Sequence, residues 1–189
     1  MPPTLATDDD LEAIAALVNA SYRGQGGWTT EAGVIDGDRT NAAALRADLA
    51  AQPGAALLAW RDAPGEPVLG CVWLEPAAAK VWYLGLLTIR PDLQDRKLGR
   101  TVLDAAEAFA IANGARRMRL TVVNARTTLI AWYERRGYRF TGETQPFPYG
   151  DQRFGAPRRD DLEFVVLEKP VGAALPDVVA ITSEISTAP

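Results

Sequence analysis

The stretch Leu87-Thr88-Ile89-Arg90-Pro91-Asp92-Leu93-Gln94-Asp95-Arg96-Lys97-Leu98-Gly99-Arg100 passes from strand to polar turn to helix. It closes the run Val81 to Arg90, rich in branched and aromatic residues, and Pro91 ends that strand. Beyond Gly99, Val102, Leu103, Ala106, Phe109 and Ala110 form an apolar stripe at helical spacing, and Asn113-Gly114 stops it. The first amides of a helix have no partner in a preceding turn, so they point outward and can hold a phosphate or pyrophosphate. Gly99 lets backbone approach such a ligand closely, and Arg96, Lys97 and Arg100 add positive charge. A basic turn that binds nothing is the competing reading of the same residues.

Toward the N-terminus, Thr7 with Asp10 three residues later reads as a capping-box start. Leu11, Ile14, Leu17, Val18 and Tyr22 then supply an apolar helical stripe. Gly24 to Asp38 is broken by glycines and reads as an ordered loop or irregular passage, and a second helix is expected over Thr40 to Leu49. Ala56 to Arg61, Val68 to Leu74 and Val81 to Arg90 read as an antiparallel meander, with the first helices on one face. Downstream, Arg117 to Val123 alternates as a strand, and Leu129 to Arg136 forms a short helix closed by Gly137. Tyr138 to Thr141 follows, then a long polar connection from Gly142 to Asp161 and a last strand over Leu162 to Leu167. Strand, helix, strand, helix, strand implies crossovers on a mixed sheet. Residues 1–170 are expected to form a single α/β domain, with 171–189 a flexible or partner-contacting tail.

Composition narrows the chemistry. The 189 residues carry a net charge of −4, which gives no overall attraction for nucleic acid or an anionic membrane. There is no histidine, so triads and zinc sites built on imidazole are excluded, and no metal is expected. The one cysteine, Cys71, lies in the apolar run Leu69-Gly70-Cys71-Val72-Trp73 and reads as core filling. With neither a basic leader nor a spanning apolar run, a reducing cytoplasm is the expected compartment.

The turn resembles the acetyl-CoA signature of the GCN5-related N-acetyltransferase (GNAT) superfamily, Gln/Arg-x-x-Gly-x-Gly/Ala. Gln94 matches its first position and Gly99 its last, while Lys97 stands in place of the first glycine. A lysine there is tolerated if its backbone keeps ordinary helical dihedrals, and its charge then adds to contact with the 3′-phosphate or pyrophosphate; if the position needs close approach of bare backbone, affinity for coenzyme A falls. Further on, Leu120-Thr121-Val122-Val123-Asn124 followed by Leu129-Ile130-Ala131-Trp132-Tyr133-Glu134-Arg135-Arg136-Gly137-Tyr138 is similar to the family's strand, Asn-containing crossing and Tyr-x-x-x-Gly-Phe/Tyr helix. The resemblance spans roughly Val68 to Leu167. It implies a central mixed, mostly antiparallel sheet flanked by helices and an activity that moves an acetyl group from acetyl-CoA to an amine. The superfamily often forms dimers, which makes a homodimer compatible with this chain.

Under that resemblance, backbone around Leu87, Thr88 and Ile89 lies along the pantetheine arm. Gln94, Asp95, Arg96, Lys97, Leu98, Gly99 and Arg100 form the phosphate turn, and Asn124 orients coenzyme A or a water. The strand ending at Ile89 splays from the one ending near Val123 and opens a slot for the thioester. Acetyl transfer needs a polarised carbonyl, a neutral amine and a proton for the departing thiolate. Tyr133 is the expected acid, because a phenol with an ordinary pKa of about 10 keeps its proton at neutral pH. Glu31 and Glu75 are the leading candidates for the base, with Asp160, Asp161 and Glu163 or a water relay as alternatives. Trp28, Tyr83 and Phe147 are candidates to shape the acceptor pocket. A binding protein that holds acetyl-CoA without turning it over, or an acetyltransferase acting on protein lysines, fits the same residues.

Overall fold

Residues 2–94 and 96–172 are described by the computed structural model. The elements in chain order are β1 (Thr4–Leu5), α1 (Leu11–Arg23), β2 (Ile35–Asp36), α2 (Ala42–Ala51), β3 (Ala56–Trp60), β4 (Gly70–Ala78) and β5 (Val81–Ile89). They continue as α3 (Leu98–Ala112), β6 (Arg117–Val123), α4 (Thr127–Glu134), β7 (Arg139–Pro146), β8 (Ala156–Pro157) and β9 (Glu163–Pro170). A seven-stranded sheet runs β1-β3-β4-β5-β6-β9-β7, and β2 and β8 make a separate small pair. Every neighbouring pair in the large sheet is antiparallel except β5–β6, which is parallel. That one parallel pair needs a crossover, and α3 provides it.

The two-residue period of a strand divides the core into two layers. Along β3, Leu57 and Ala59 pack with Leu11, Ile14 and Val18 of α1 and Leu45 of α2. The alternate residues Leu58 and Trp60 pack with Val102, Leu103 and Ala106 of α3. Each large side chain so buried contributes about 1.5–3 kcal/mol, enough in aggregate to hold both helical layers on one sheet. The N-terminal cap forms as expected: the Asp10 carboxylate accepts from the Thr7 N–H at 2.8 Å.

The sheet is opened where β5 and β6 separate. Their pairing ends at Tyr83↔Arg119, after which β6 continues only against β9. The hydroxyls of Tyr83 and Thr121 lie 3.0 Å apart across the fork. A bulge in β5 accompanies the split. Cys71 faces Thr88 and Trp73 faces Gly85, so two residues of β5 oppose Val72 alone, and Leu86 takes a φ of 49°. Such an insertion re-aims the strand locally, here at Leu87 beside the opening.

Several expectations are corrected. The stretch beyond Gly142 is strand rather than loop as far as Pro146, and β4 reaches Ala78 instead of stopping at Leu74. The irregular passage after α1 and the long connection before β9 pin each other through β2 and β8 (Ile35↔Pro157, Asp36↔Ala156). Gly155 permits that approach: its φ is 81°, and a Cβ there would stand 2.3 Å from the Asp36 carbonyl oxygen. Ile35, Val123, Phe147 and Leu162 form a small core of their own at this end. Val171 is still buried against the domain, and of the expected tail residues 173–189 lie outside the described ones.

Candidate active site

Two cavities meet at the split. A narrow one of about 320 Å³ follows the end of β5 and the start of α3, and a wide one of about 1000 Å³ lies on the other side, toward β2, β8 and the first turn of α2. Tyr22, Leu87, Arg126, Leu129 and Tyr133 line both, so these residues mark the junction.

The narrow cavity has the features of the phosphate-binding turn. Leu87, Thr88 and Ile89 form one wall. Gln94, Lys97, Gly99 and Arg100 form the mouth. Lys97 does not adopt helical dihedrals: it is left-handed, with φ 64° and ψ 5°. A positive φ favours glycine, and a residue with a Cβ there bears a cost of about 1–2 kcal/mol. Gly99 sits against the Trp132 ring, where an added Cβ would lie 3.4 Å from it. The Arg136 guanidinium stacks on the same ring at 3.5 Å and lines the cavity. Lys97, Arg100 and Arg136 therefore bring three positive charges to the first turn of α3, a setting that fits a pyrophosphate.

Gln94 has a structural task beyond its motif position. Its Nε2 donates to the Ile89 carbonyl at 3.0 Å, while its Oε1 accepts from the Trp28 N–H at 2.5 Å. One side chain thus ties β5, the phosphate turn and the passage after α1. Trp28 consequently lines the narrow cavity, not the acceptor side where it was expected; Tyr83 and Phe147 do line the wide one. Arg96 is exposed and outside the narrow cavity, and Leu98 turns onto the core, leaving only its backbone at the turn. Asp95 lies outside the described residues. Asn124 reaches neither cavity: its Nδ2 donates to the Asp161 carbonyl at 2.9 Å and secures the segment before β9.

Tyr133 is 5% exposed, and its ring makes edge contacts with Trp132 and Tyr138 at centroid distances of 5.0 and 5.4 Å. Its hydroxyl makes no hydrogen bond to any described residue. Burial pushes the phenol well above its ordinary value, with the nearby Arg126 charge pulling the other way. Cys71 is fully buried, and burial pushes its thiol up to about 12 against a modest opposing hydrogen bond with Thr88. It lines neither cavity.

The candidate bases separate by environment. Glu31 is 5% exposed and clamped between arginines: one carboxylate oxygen pairs with Arg23 and the other with Arg126 at 3.2 Å. Its lone pairs already serve guanidinium donors, which suits a structural link better than proton abstraction. Arg126 also donates to the Thr29 carbonyl at 3.2 Å and stands 5.0 Å from the Tyr22 ring centroid. Glu75, on β4, lines the wide cavity half-buried and accepts from the Trp73 indole at 2.9 Å, leaving a carboxylate oxygen for another partner. Asp161 pairs with Arg159 at 2.6 Å on the surface, and neither it nor Asp160 nor Glu163 lines a cavity. Among the described residues no cluster of acidic, histidine or cysteine side chains is placed to hold a metal, and no helix is long and apolar enough to cross a membrane.

Comparison with known proteins agrees with this geometry. The model of the Acetyltransferase (GNAT) family matches residues 28–138. Among solved structures, yncA of Salmonella typhimurium, determined with its cofactor acetyl-CoA, superposes with a TM-score of 0.65 at 17% identity, covering 93% of this chain and 97% of that one. The ribosomal-protein-alanine N-acetyltransferase of Brucella melitensis gives 0.65 at 17% over 90% and 100% of the two chains. The ribosomal-protein-S18-alanine N-acetyltransferase of Escherichia coli gives 0.64 at 13% over 93% and 97%. No curated protein sequence matches. With the family model spanning the split strands, the phosphate turn and the tyrosine helix, the chain belongs to the GNAT acetyltransferase family.

Proposed function

We propose that the protein transfers an acetyl group from acetyl-CoA to a primary amine of a small molecule or peptide by direct attack in a ternary complex. The observation that carries this reading is the meeting of two cavities at Tyr133, whose hydroxyl has no partner among the described residues. The narrow cavity takes the cofactor, with Lys97, Arg100 and Arg136 toward its phosphates and the wall from Leu87 to Ile89 along its arm. Acetyl-CoA, when bound, supplies the thioester whose carbonyl the amine attacks and whose sulfur departs as a thiolate. The wide cavity admits the amine.

At the junction, Tyr133 holds the proton that the departing sulfur needs. Burial raises its pKa and so keeps the phenol protonated at neutral pH, and a thiolate formed beside it is itself disfavoured by desolvation. Glu75 takes the proton of the incoming ammonium, directly or through water. Cys71 does not intervene as a nucleophile: it is buried, protonated and away from both cavities.

Tyr133→Phe tests the acid. Loss of a general acid lowers turnover by about 10²–10⁴-fold, with coenzyme A affinity near that of the wild type. Unchanged turnover across the pH range refutes the role. Incubation with acetyl-CoA and no acceptor should leave the protein's mass unaltered; an acetylated protein would refute direct attack.

A further inference from the structure

Of the arginines lining the wide cavity, all but Arg39 are held by carboxylates of this chain. Arg23 and Arg126 share Glu31. Arg119 bridges Glu143 at 2.5 Å and Glu168 at 3.2 Å, and Arg153 pairs with Asp151 at 2.5 Å. Arg39 has no carboxylate partner among the described residues. Its guanidinium carbon lies 5.9 Å from the Tyr22 ring centroid and 5.7 Å from that of Phe154, and both rings line the same cavity. These cation–π contacts steady the group and consume none of its N–H donors.

The position is also built rather than incidental. The Asn19 side-chain oxygen accepts from the Arg39 and Thr40 amides at 2.7 and 3.1 Å, and the Asn19 amide donates to the Thr40 carbonyl at 2.9 Å. α1 thereby fixes the backbone that carries the guanidinium, and the side chain is half-buried. A guanidinium keeps its charge at every relevant pH and offers its donors in a planar fork that matches a carboxylate. Left without such a partner in a cavity wall, it is a receptor for one.

The Tyr22 ring lies beside Arg39 on one hand and lines the junction with the narrow cavity on the other. Tyr22 thus links the place where Arg39 would hold a group to the junction that Tyr133 also lines. We infer that the acceptor is an amine that also carries a carboxylate, with Arg39 receiving the carboxylate while the amine points to the junction. Amino acids and peptides with a free C-terminus are the two sources of that chemistry. The inference rests on the transferase reading for the fate of the amine, while the anion site stands on its own geometry.

The test is calorimetric titration of free amino acids and dipeptides, each matched with its carboxamide, into protein saturated with coenzyme A. At least one carboxylate should bind tighter than its carboxamide by about 10- to 100-fold, the weight of charge-assisted hydrogen bonds. Arg39→Gln should abolish that difference without changing carboxamide affinity. Arg39→Lys, which keeps the charge but loses the fork, should retain part of it and serves as the decisive variant if the glutamine protein is unfolded. Preference within about twofold for every pair, including no binding at all, overturns the inference, as does a preference that survives Arg39→Gln in folded protein. Thiol release from acetyl-CoA, measured on the same panel, separates the two readings. Carboxylate preference without release overturns the transferase and keeps the anion site; equal release from carboxamides and carboxylates does the reverse.

Discussion

Replacing Glu31 by glutamine removes one charge from a buried cluster while leaving its shape nearly intact. The side chains of Glu31, Arg23 and Arg126 are 6%, 10% and 9% exposed, so water screens their interaction little. Taking away one partner of a buried ion pair costs about 3–5 kcal/mol, because the remaining charge stays desolvated. Here the stranded charges are two guanidinium groups, which then face each other across an amide. At 1.36 kcal/mol per tenfold, that is roughly 150- to 5000-fold in the folding equilibrium. A domain of this size shifts its melting midpoint by about 2–4 °C per kcal/mol, so Glu31→Gln should melt about 6–20 °C below the wild type. Differential scanning calorimetry and urea unfolding followed by tryptophan fluorescence both read the effect. Turnover, measured at a temperature where both proteins are folded, should keep the same pH profile. A glutamine variant that melts within about 2 °C of the wild type yet has lost turnover would refute the structural clamp and restore Glu31 as the base.

Lys97→Gly relieves a left-handed residue and should raise the unfolding free energy by about 1 kcal/mol, read as a higher urea midpoint at unchanged slope. The same variant should weaken coenzyme A binding by the loss of one charge, so stability and affinity move in opposite directions; movement together would contradict the assignment. Cys71 gives a pH dependence. Its thiol is raised from 9.0 to about 12 in the fold, so its contribution is intact below pH 9 and is lost as pH rises from there toward 12, because the unfolded chain sheds the proton first. The slope is about 1.4 kcal/mol per pH unit, and Cys71→Ala should flatten the fall in urea midpoint between about pH 9 and 10.5. An unaltered slope would show that the thiol titrates normally.

The central crossover was legible because the hydrophobic period changes from two to 3.6 across the phosphate turn, and the chain has to bridge two parallel strands there. The narrow cavity followed from the same turn, since helix amides, glycine and basic side chains are local features. β7 was not legible beyond Thr141: it is an edge strand whose residues are nearly all exposed, so no alternation marks it, and Gly142 at a register shift mimics a loop. The left-handed dihedral of Lys97 was not legible, because side-chain identity does not report φ where a turn overrides preference. Tyr22 sits on the apolar stripe of α1 and reads as core, yet its ring reaches the junction because it stands in the last turn of the helix. The Arg126–Glu31 link joins residues 95 positions apart, and no local pattern announces it. Arg39 lies in a polar loop, and nothing local shows that its guanidinium makes no ion pair among the described residues.

The most direct test of acetyl transfer is release of free thiol from acetyl-CoA by the purified protein, with and without amine acceptors. Buried Cys71 should leave the thiol reading undisturbed. Release is expected only when an acceptor is present, with the acceptor gaining an acetyl mass. Binding of coenzyme A with no release from any amine, amino acid or lysine peptide would contradict it and mark the protein as one that holds acetyl-CoA without turning it over.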